Sequence, residues 1–114
     1  MSYTSRKTQA LINLSALKDN YQLITQLAKD SATIAVLKAD AYGHGAIEVA
    51  KSLDSLVPAF AVAFIDEAIA LREAGIKSSI LILEGPLIES DFSVANQHDF
   101  WLILHNHDQI NWLI

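Results

Sequence analysis

Four short apolar runs, each followed by a segment with a helical pattern, most strongly restrict the folds available to this chain. They predict strands over residues 33–38, 59–64, 79–83 and 100–104. Apolar runs of this length are typical of strands buried on both faces of a parallel sheet. Regular alternation of strand and helix predicts parallel strands joined by right-handed crossovers. The chain is therefore predicted to have an α/β fold.

Two architectures fit this pattern, a (β/α)8 barrel and a doubly wound open sheet. The first strand carries no glycine fingerprint of the dinucleotide-binding kind, which disfavours the open sheet. Four strands are too few to close an eight-stranded barrel, and they would leave two open edges and an uncovered face. We therefore expect the chain to be the N-terminal part of a longer protein. The alternative is that a second copy covers the exposed face.

Composition excludes several classes of partner. Of 114 residues, 52% are hydrophobic and 18% are charged, as in a globular domain with a core. A net charge of −5 without a block of like charges argues against nucleic acid and against anionic membrane surfaces. The lack of cysteine excludes disulfides and thiolate metal sites. Neither an N-terminal signal nor a run of ~18 apolar residues is present, so the cytoplasm is the expected compartment.

Cap residues place several helix ends. A β-like segment is predicted over residues 8–14, followed by a helix with Ser15 as its N-cap. Further helices are predicted from about residue 45 to 53, over 65–74, and over 88–98. Gly75 lies where a helix C-cap glycine belongs. Asn106 is the predicted N-cap of the last helix, with Gln109 at the capping-box position.

The first apolar run ends on a lysine. Side chains alternate along a strand, so Ile34, Val36 and Lys38 share one face. If that face is the interior of a barrel, Lys38 points inward at the rim, where partial desolvation favours the neutral amine. A neutral amine is a nucleophile that can form a Schiff base with a carbonyl. The alternative is an ordinary lysine that closes a strand and extends to water.

The loop after Lys38 contains Gly43, His44 and Gly45. The glycines allow positive φ angles and close approach to a ligand, and a helix starting here would favour an anion such as phosphate. The alternative is a tight turn without a ligand. The pattern is not a P-loop, because the spacing and the Lys-Ser/Thr pair are missing. His44 could tune a site at Lys38 or simply pack there.

Two other polar pairs are interpreted as structural. Asp66 and Glu67 lie at a helix start, where negative charge suits the macrodipole, so we do not assign them as an acid/base pair. His105 and His107 bracket the predicted cap at Asn106 and have no third ligand at a sensible spacing. No metal site is predicted.

The run Ala-Val-Leu-Lys-Ala-Asp-Ala-Tyr-Gly-His-Gly at residues 35–45 resembles the pyridoxal-phosphate attachment signature of alanine racemases. Residues 60–63, 66–68, 71–76 and 80–85 resemble the strands and the helix that follow in that family. The resemblance implies a (β/α)8 TIM-type barrel, of which this chain would contain about four βα units. Residues 1–14 would form an N-terminal arm, and residues 15–114 part of the barrel domain.

The resemblance also implies a cofactor and a reaction. Pyridoxal 5'-phosphate would be held on Lys38, which would also act as one catalytic base, with Tyr42 binding the cofactor phosphate and Leu83 near the ring. The family interconverts L-alanine and D-alanine, which supplies D-alanine for peptidoglycan. It works as a homodimer in which a tyrosine of the other subunit is the second base. The 114-residue chain alone is expected to be inactive, because that tyrosine lies beyond the positions present.

Two other interpretations stay open at the level of sequence. The chain could belong to a non-catalytic barrel protein that binds pyridoxal phosphate for cofactor homeostasis. It could also be a structural α/β piece that binds nothing. Cofactor binding separates the last interpretation from the other two.

Overall fold

The computed structural model describes residues 5–114 and confirms the α/β class. Helices and strands alternate after an initial helix, except that two helical segments follow the first strand. In chain order the elements are α1 (Leu14–Ala28), β1 (Ala35–Val36), α2 (Lys38–Tyr42), α3 (Ala46–Leu53), β2 (Ala59–Val62), α4 (Ile65–Glu73), β3 (Ser79–Ile82), α5 (Asp91–His98), β4 (Phe100–Leu102) and α6 (His107–Leu113). The strands lie within the predicted ranges, although β1 has only two paired residues.

The four strands form one parallel sheet in the order β1-β2-β3-β4. This sequential order has no point at which the strand order reverses, whereas a doubly wound sheet requires one. Helix α3 packs against α1 and α4, and α4 packs against α5, so these helices form one layer. Sequential parallel strands under a single helical layer are the arrangement of a barrel wall, which agrees with the predicted barrel segment.

The two faces of the sheet differ in burial. Phe60, Val62, Ile80 and Ile82 point toward the helices and are fully buried in the hydrophobic core. On the opposite face, register aligns one row of side chains from all four strands: Val36, Ala61, Leu81 and Trp101. Val36 is 51% exposed and Trp101 is 45% exposed. The face that carries Val36 is therefore apolar and is exposed at the two outer strands, β1 and β4, whereas Ala61 in β2 is 1% exposed.

The prediction for the N-terminal segment is wrong in two details. Residues 8–13 form neither strand nor helix, and Leu14 is already the first residue of α1. The N-cap is Asn13 rather than Ser15, because the Asn13 side chain accepts a hydrogen bond from Ala16 N at 2.9 Å. Residues 1–4 of the predicted arm lie outside the described residues. The division of the chain at residue 14 stays a prediction.

Helix ends elsewhere are set by side chains and by glycine. Asn106 caps α6 as predicted, and its Oδ1 accepts from Gln109 N at 2.9 Å. Gly75 follows α4 with a φ of +92°, the conformation expected after a helix C-terminus. Helix α5 begins three residues later than predicted, since Asp91 Oδ2 accepts from Leu87 N at 2.8 Å and holds the preceding turn.

Within residues 5–114, no helix has both the length and the apolar character needed to cross a membrane.

Candidate functional site

Lys38 lies at the carboxyl end of β1 and is half-buried. The preceding residue, Leu37, is buried in the core, and its N–H donates to Ala61 O at 2.8 Å, so the pairing with β2 continues up to the lysine. Leu37 has a ψ of 12°, so the extended backbone ends there, and Lys38 is the first residue of α2. The Lys38 Nζ atom is 5.9 Å from the centroid of the Tyr42 ring, within the range of a cation–π contact. The amine is thus held near an aromatic ring at the rim of the sheet.

The backbone after Lys38 winds with the opposite hand to an ordinary helix. Ala39, Asp40, Ala41 and Tyr42 have φ angles of 54°, 55°, 53° and 52°. The left-handed conformation costs an L-residue about 1–2 kcal/mol, and four in succession therefore cost roughly 4–8 kcal/mol. Strain of this kind persists only where surrounding contacts enforce it, and it concentrates at functional sites. Sequence reasoning missed this turn, since three of its four residues have no preference for the left-handed region.

Asp40 holds the turn from within. Its carbonyl oxygen accepts from Gly43 N and from Gly45 N, both at 3.1 Å. Its side-chain Oδ1 accepts from Ala46 N at 2.8 Å, which puts the carboxylate at the first N–H group of α3. The start of this helix was predicted to favour an anion, and the protein provides one with its own carboxylate. Asp40 thus connects the turn after Lys38 to the helix that follows it.

Glu67 holds the same turn from outside. Its Oε2 accepts from Ala39 N at 2.8 Å. Its Oε1 accepts from Ala63 N at 2.9 Å and from Phe64 N at 3.0 Å. Glu67 stands in the first turn of α4, where sequence indicated a structural role. The structure adds a contact that sequence could not indicate: the carboxylate joins the turn after Lys38 to the end of β2.

Tyr42 and His44 lie on the exposed side of the turn. Tyr42 is 72% exposed, so its hydroxyl is available to a ligand. His44 Nδ1 is 2.8 Å from Ala41 O. Because a carbonyl oxygen can only accept, Nδ1 carries the proton and donates to it. The open question about His44 is answered in part: it forms a hydrogen bond that supports the left-handed turn.

Leu83 lies at the same edge of the sheet as Lys38, two strands further along. It is half-buried, and its N–H donates to Val62 O at 2.8 Å just beyond the end of β3. Its carbonyl oxygen is 2.7 Å from His105 Nε2, so this histidine links the ends of β3 and β4. In residues 5–114, no cluster of three or more His, Asp or Glu side chains could hold a metal ion. Carboxyl ends of parallel strands meet at one edge, so Lys38, Tyr42 and Leu83 share one side of the molecule.

These residues fit a cofactor that carries a carbonyl and an anionic group. Lys38 offers a primary amine for covalent attachment, and the exposed Tyr42 hydroxyl can donate to an acceptor oxygen. The open apolar face below them, formed by Val36 and Leu81, suits an uncharged ring. The fold and the position of this residue define a barrel-type α/β protein with a lysine at the carboxyl ends of its strands.

Comparison with known proteins identifies the family. The chain belongs to the family described as alanine racemase, N-terminal domain, whose sequence profile matches residues 12–114. The alanine racemase of Alteromonas mediterranea is 46% identical over 109 residues, which cover 96% of this chain and 30% of that protein. The alanine racemase of Chromohalobacter salexigens is 47% identical over 110 residues, with the same two coverages.

Solved structures agree with this assignment. The biosynthetic alanine racemase of Pseudomonas aeruginosa matches with a TM-score of 0.84 at 36% identity, covering 90% of this chain and 28% of that one. The alanine racemase of Acinetobacter baumannii matches with a TM-score of 0.85 at 33% identity and the same coverage. The chain thus spans about 30% of the length of the curated relatives it matches. The predicted fold, an N-terminal part of the alanine racemase barrel, is confirmed.

Proposed function

We propose that this chain provides the lysine-bearing part of a pyridoxal-phosphate-dependent alanine racemase, which interconverts L-alanine and D-alanine. The observation that carries the proposal is the position of Lys38: a half-buried amine at a strand end, followed by a strained left-handed turn. The chain spans about 30% of its relatives, so the complete activity belongs to the whole protein. D-alanine for peptidoglycan is the expected product, and the cytoplasm is the expected compartment.

Each site residue has a distinct role in this proposal. Pyridoxal 5'-phosphate, when bound, supplies an electron-accepting ring that stabilises negative charge at the α-carbon of an amino acid. Lys38 anchors the cofactor and, once freed by the substrate amine, moves a proton on one face of that carbon. Tyr42 would donate its hydroxyl to the phosphate, and Leu83 would lie near the ring.

Racemisation requires a second base, because the proton leaves one face of the α-carbon and returns on the other. By family resemblance, that base is a tyrosine of the partner subunit in a homodimer. Lys38 is therefore assigned to one face only, and the dimer is part of the proposal.

The first test is cofactor trapping on the 114-residue chain. The Lys38 amine condenses with the cofactor aldehyde with loss of one water, and borohydride then reduces the carbon–nitrogen double bond to a stable amine. We expect intact mass and peptide mapping to find one adduct, on Lys38, that is absent from Lys38→Ala. Lys51→Ala is the matched control, since Lys51 is an exposed lysine on α3 and its loss should leave the adduct unchanged.

A different distribution of adducts would contradict the proposal. The other lysines of the chain are all exposed: Lys7, Lys18, Lys29, Lys51 and Lys77. Adducts scattered over these residues, with no preference for Lys38, would show that the strand end offers only another surface amine.

A further inference from the structure

We infer that Glu67 is a positioning residue for Lys38: its carboxylate holds the peptide that follows the lysine against the end of β2. The inference rests on the proposed function and deepens it. Glu67 is separated from Ala39 by 28 positions in the sequence, yet Oε2 lies 2.8 Å from Ala39 N. Sequence alone gave this residue a role only at the start of α4.

The Glu67 carboxylate offers acceptors that match the backbone donors around it. Three backbone N–H groups, of Ala39, Ala63 and Phe64, point at the two oxygens of one carboxylate. An ionised carboxylate only accepts hydrogen bonds, so all three donors are satisfied, and bonds to a charged acceptor are the stronger kind. A glutamine at this position would put an NH2 group against at least one of these N–H groups. The site therefore requires a carboxylate rather than any polar side chain of this size.

The contact from Glu67 acts on the peptide that follows Lys38. Ala39 N belongs to the peptide unit whose carbonyl is that of Lys38, so Glu67 fixes the plane of the peptide next to the lysine. Ala39 is also the first of the four left-handed residues. A turn under this strain relaxes when a contact that enforces it is removed. Loss of the Glu67 carboxylate should thus change the direction in which Lys38 leaves the strand.

Glu67 differs from its neighbour Asp66 in the contact that it makes. Asp66 carries the same charge, lies in the same first turn of α4 and is exposed. The favourable interaction of a negative charge with the helix start is available to both residues. The contact with Ala39 N is made by Glu67. Asp66→Asn is therefore the matched control, because it removes one carboxylate from the same helix turn without altering that contact.

The experiment compares the wild-type chain with Glu67→Gln and Asp66→Asn in pyridoxal-phosphate trapping with borohydride. The readout is the ratio of adduct on Lys38 to adduct on Lys51 in the same sample, at equal folded fraction measured by circular dichroism. We expect Glu67→Gln to lower this ratio about tenfold, the effect of losing one charged hydrogen bond of about 1.4 kcal/mol. Asp66→Asn should stay within about twofold of wild type. A purely structural role would lower stability without changing the ratio among folded molecules.

A second measurement needs no cofactor. Amide hydrogen exchange by NMR should show protection of the Ala39 N–H in the wild type and its loss in Glu67→Gln. If Glu67→Gln does not fold, Glu67→Asp replaces it; this variant keeps the charge but is one methylene too short to span both contacts. An unchanged ratio together with unchanged Ala39 protection overturns the inference and leaves the proposed function standing. If the wild-type chain forms no preferential adduct on Lys38, both the inference and the proposed function are overturned.

Discussion

Gly85 is the glycine at which an added methyl group would clash with the backbone. It follows β3, where the chain passes close to the residue after β4. A Cβ built on Gly85 would lie 2.0 Å from Ile103 O, and the backbone φ is +68°. Gly85→Ala should therefore destabilise the fold for two reasons, the left-handed backbone and the clash. Gly75→Ala separates them, because Gly75 has a φ of +92° and its Cβ would meet nothing within 4 Å.

The two contributions can be estimated separately. An alanine forced into a left-handed conformation costs about 1–2 kcal/mol, which applies to both variants. The clash at Gly85 is with a backbone carbonyl, which no side-chain rotation can relieve, and shifting packed backbone costs about 1–3 kcal/mol more. The sum for Gly85→Ala is roughly 2–5 kcal/mol, a large part of the total of about 5–15 kcal/mol for a typical domain.

Urea unfolding followed by circular dichroism measures both variants against wild type. We expect the unfolding midpoint to fall in both, and to fall further for Gly85→Ala by at least about 1 kcal/mol in the free energy of unfolding. Equal losses in the two variants would refute the reasoning, because they would show that the Ile103 carbonyl does not limit the space at Gly85.

Two further predictions concern polar groups that join separate elements. Burial acts to raise the pKa of the Asp54 carboxyl, but hydrogen bonds from the Ser78 hydroxyl and from the N–H groups of Lys77 and Ser78 outweigh it, so this pKa lies below its ordinary value. A lowered pKa stabilises the fold above the unfolded-state pKa of about 3.9 and loses this effect as pH falls through the folded value. Asp54→Asn should thus be less stable than wild type at neutral pH, and the difference in free energy of unfolding should become smaller in acid. A difference that does not depend on pH would exclude the ionised carboxylate as its cause. Gln109 is 5% exposed, and its Nε2 donates to Pro86 O at 2.8 Å. Gln109→Leu should therefore lower the free energy of unfolding, measured with urea, by about 1–3 kcal/mol. An unchanged free energy of unfolding would show that water replaces the lost donor.

Local patterns were sufficient to predict the four strands and most of the helices. Strands need only short apolar runs to be recognised, and all four lie within the predicted ranges. The cap at Asn106 was also predictable, since it acts within one helical turn. Helix α1 shows the limit of such patterns: Leu17 and Tyr21 pack against the core, whereas Leu27 on the same apolar side of the helix pattern is 72% exposed. Periodicity shows which residues share a face but not how far the neighbouring layer extends.

By itself, the sequence determined that this is an α/β chain of the alanine racemase family, because the motif and the strand–helix alternation are local features. Only the tertiary structure decided how the lysine is held. The left-handed turn after Lys38 runs against the preference of its own residues, so it exists because contacts from elsewhere enforce it. One of those contacts, from Glu67 to Ala39, joins positions 28 residues apart. No pattern within a single element can indicate such a pair, since only folding brings the ends of β1 and β2 together.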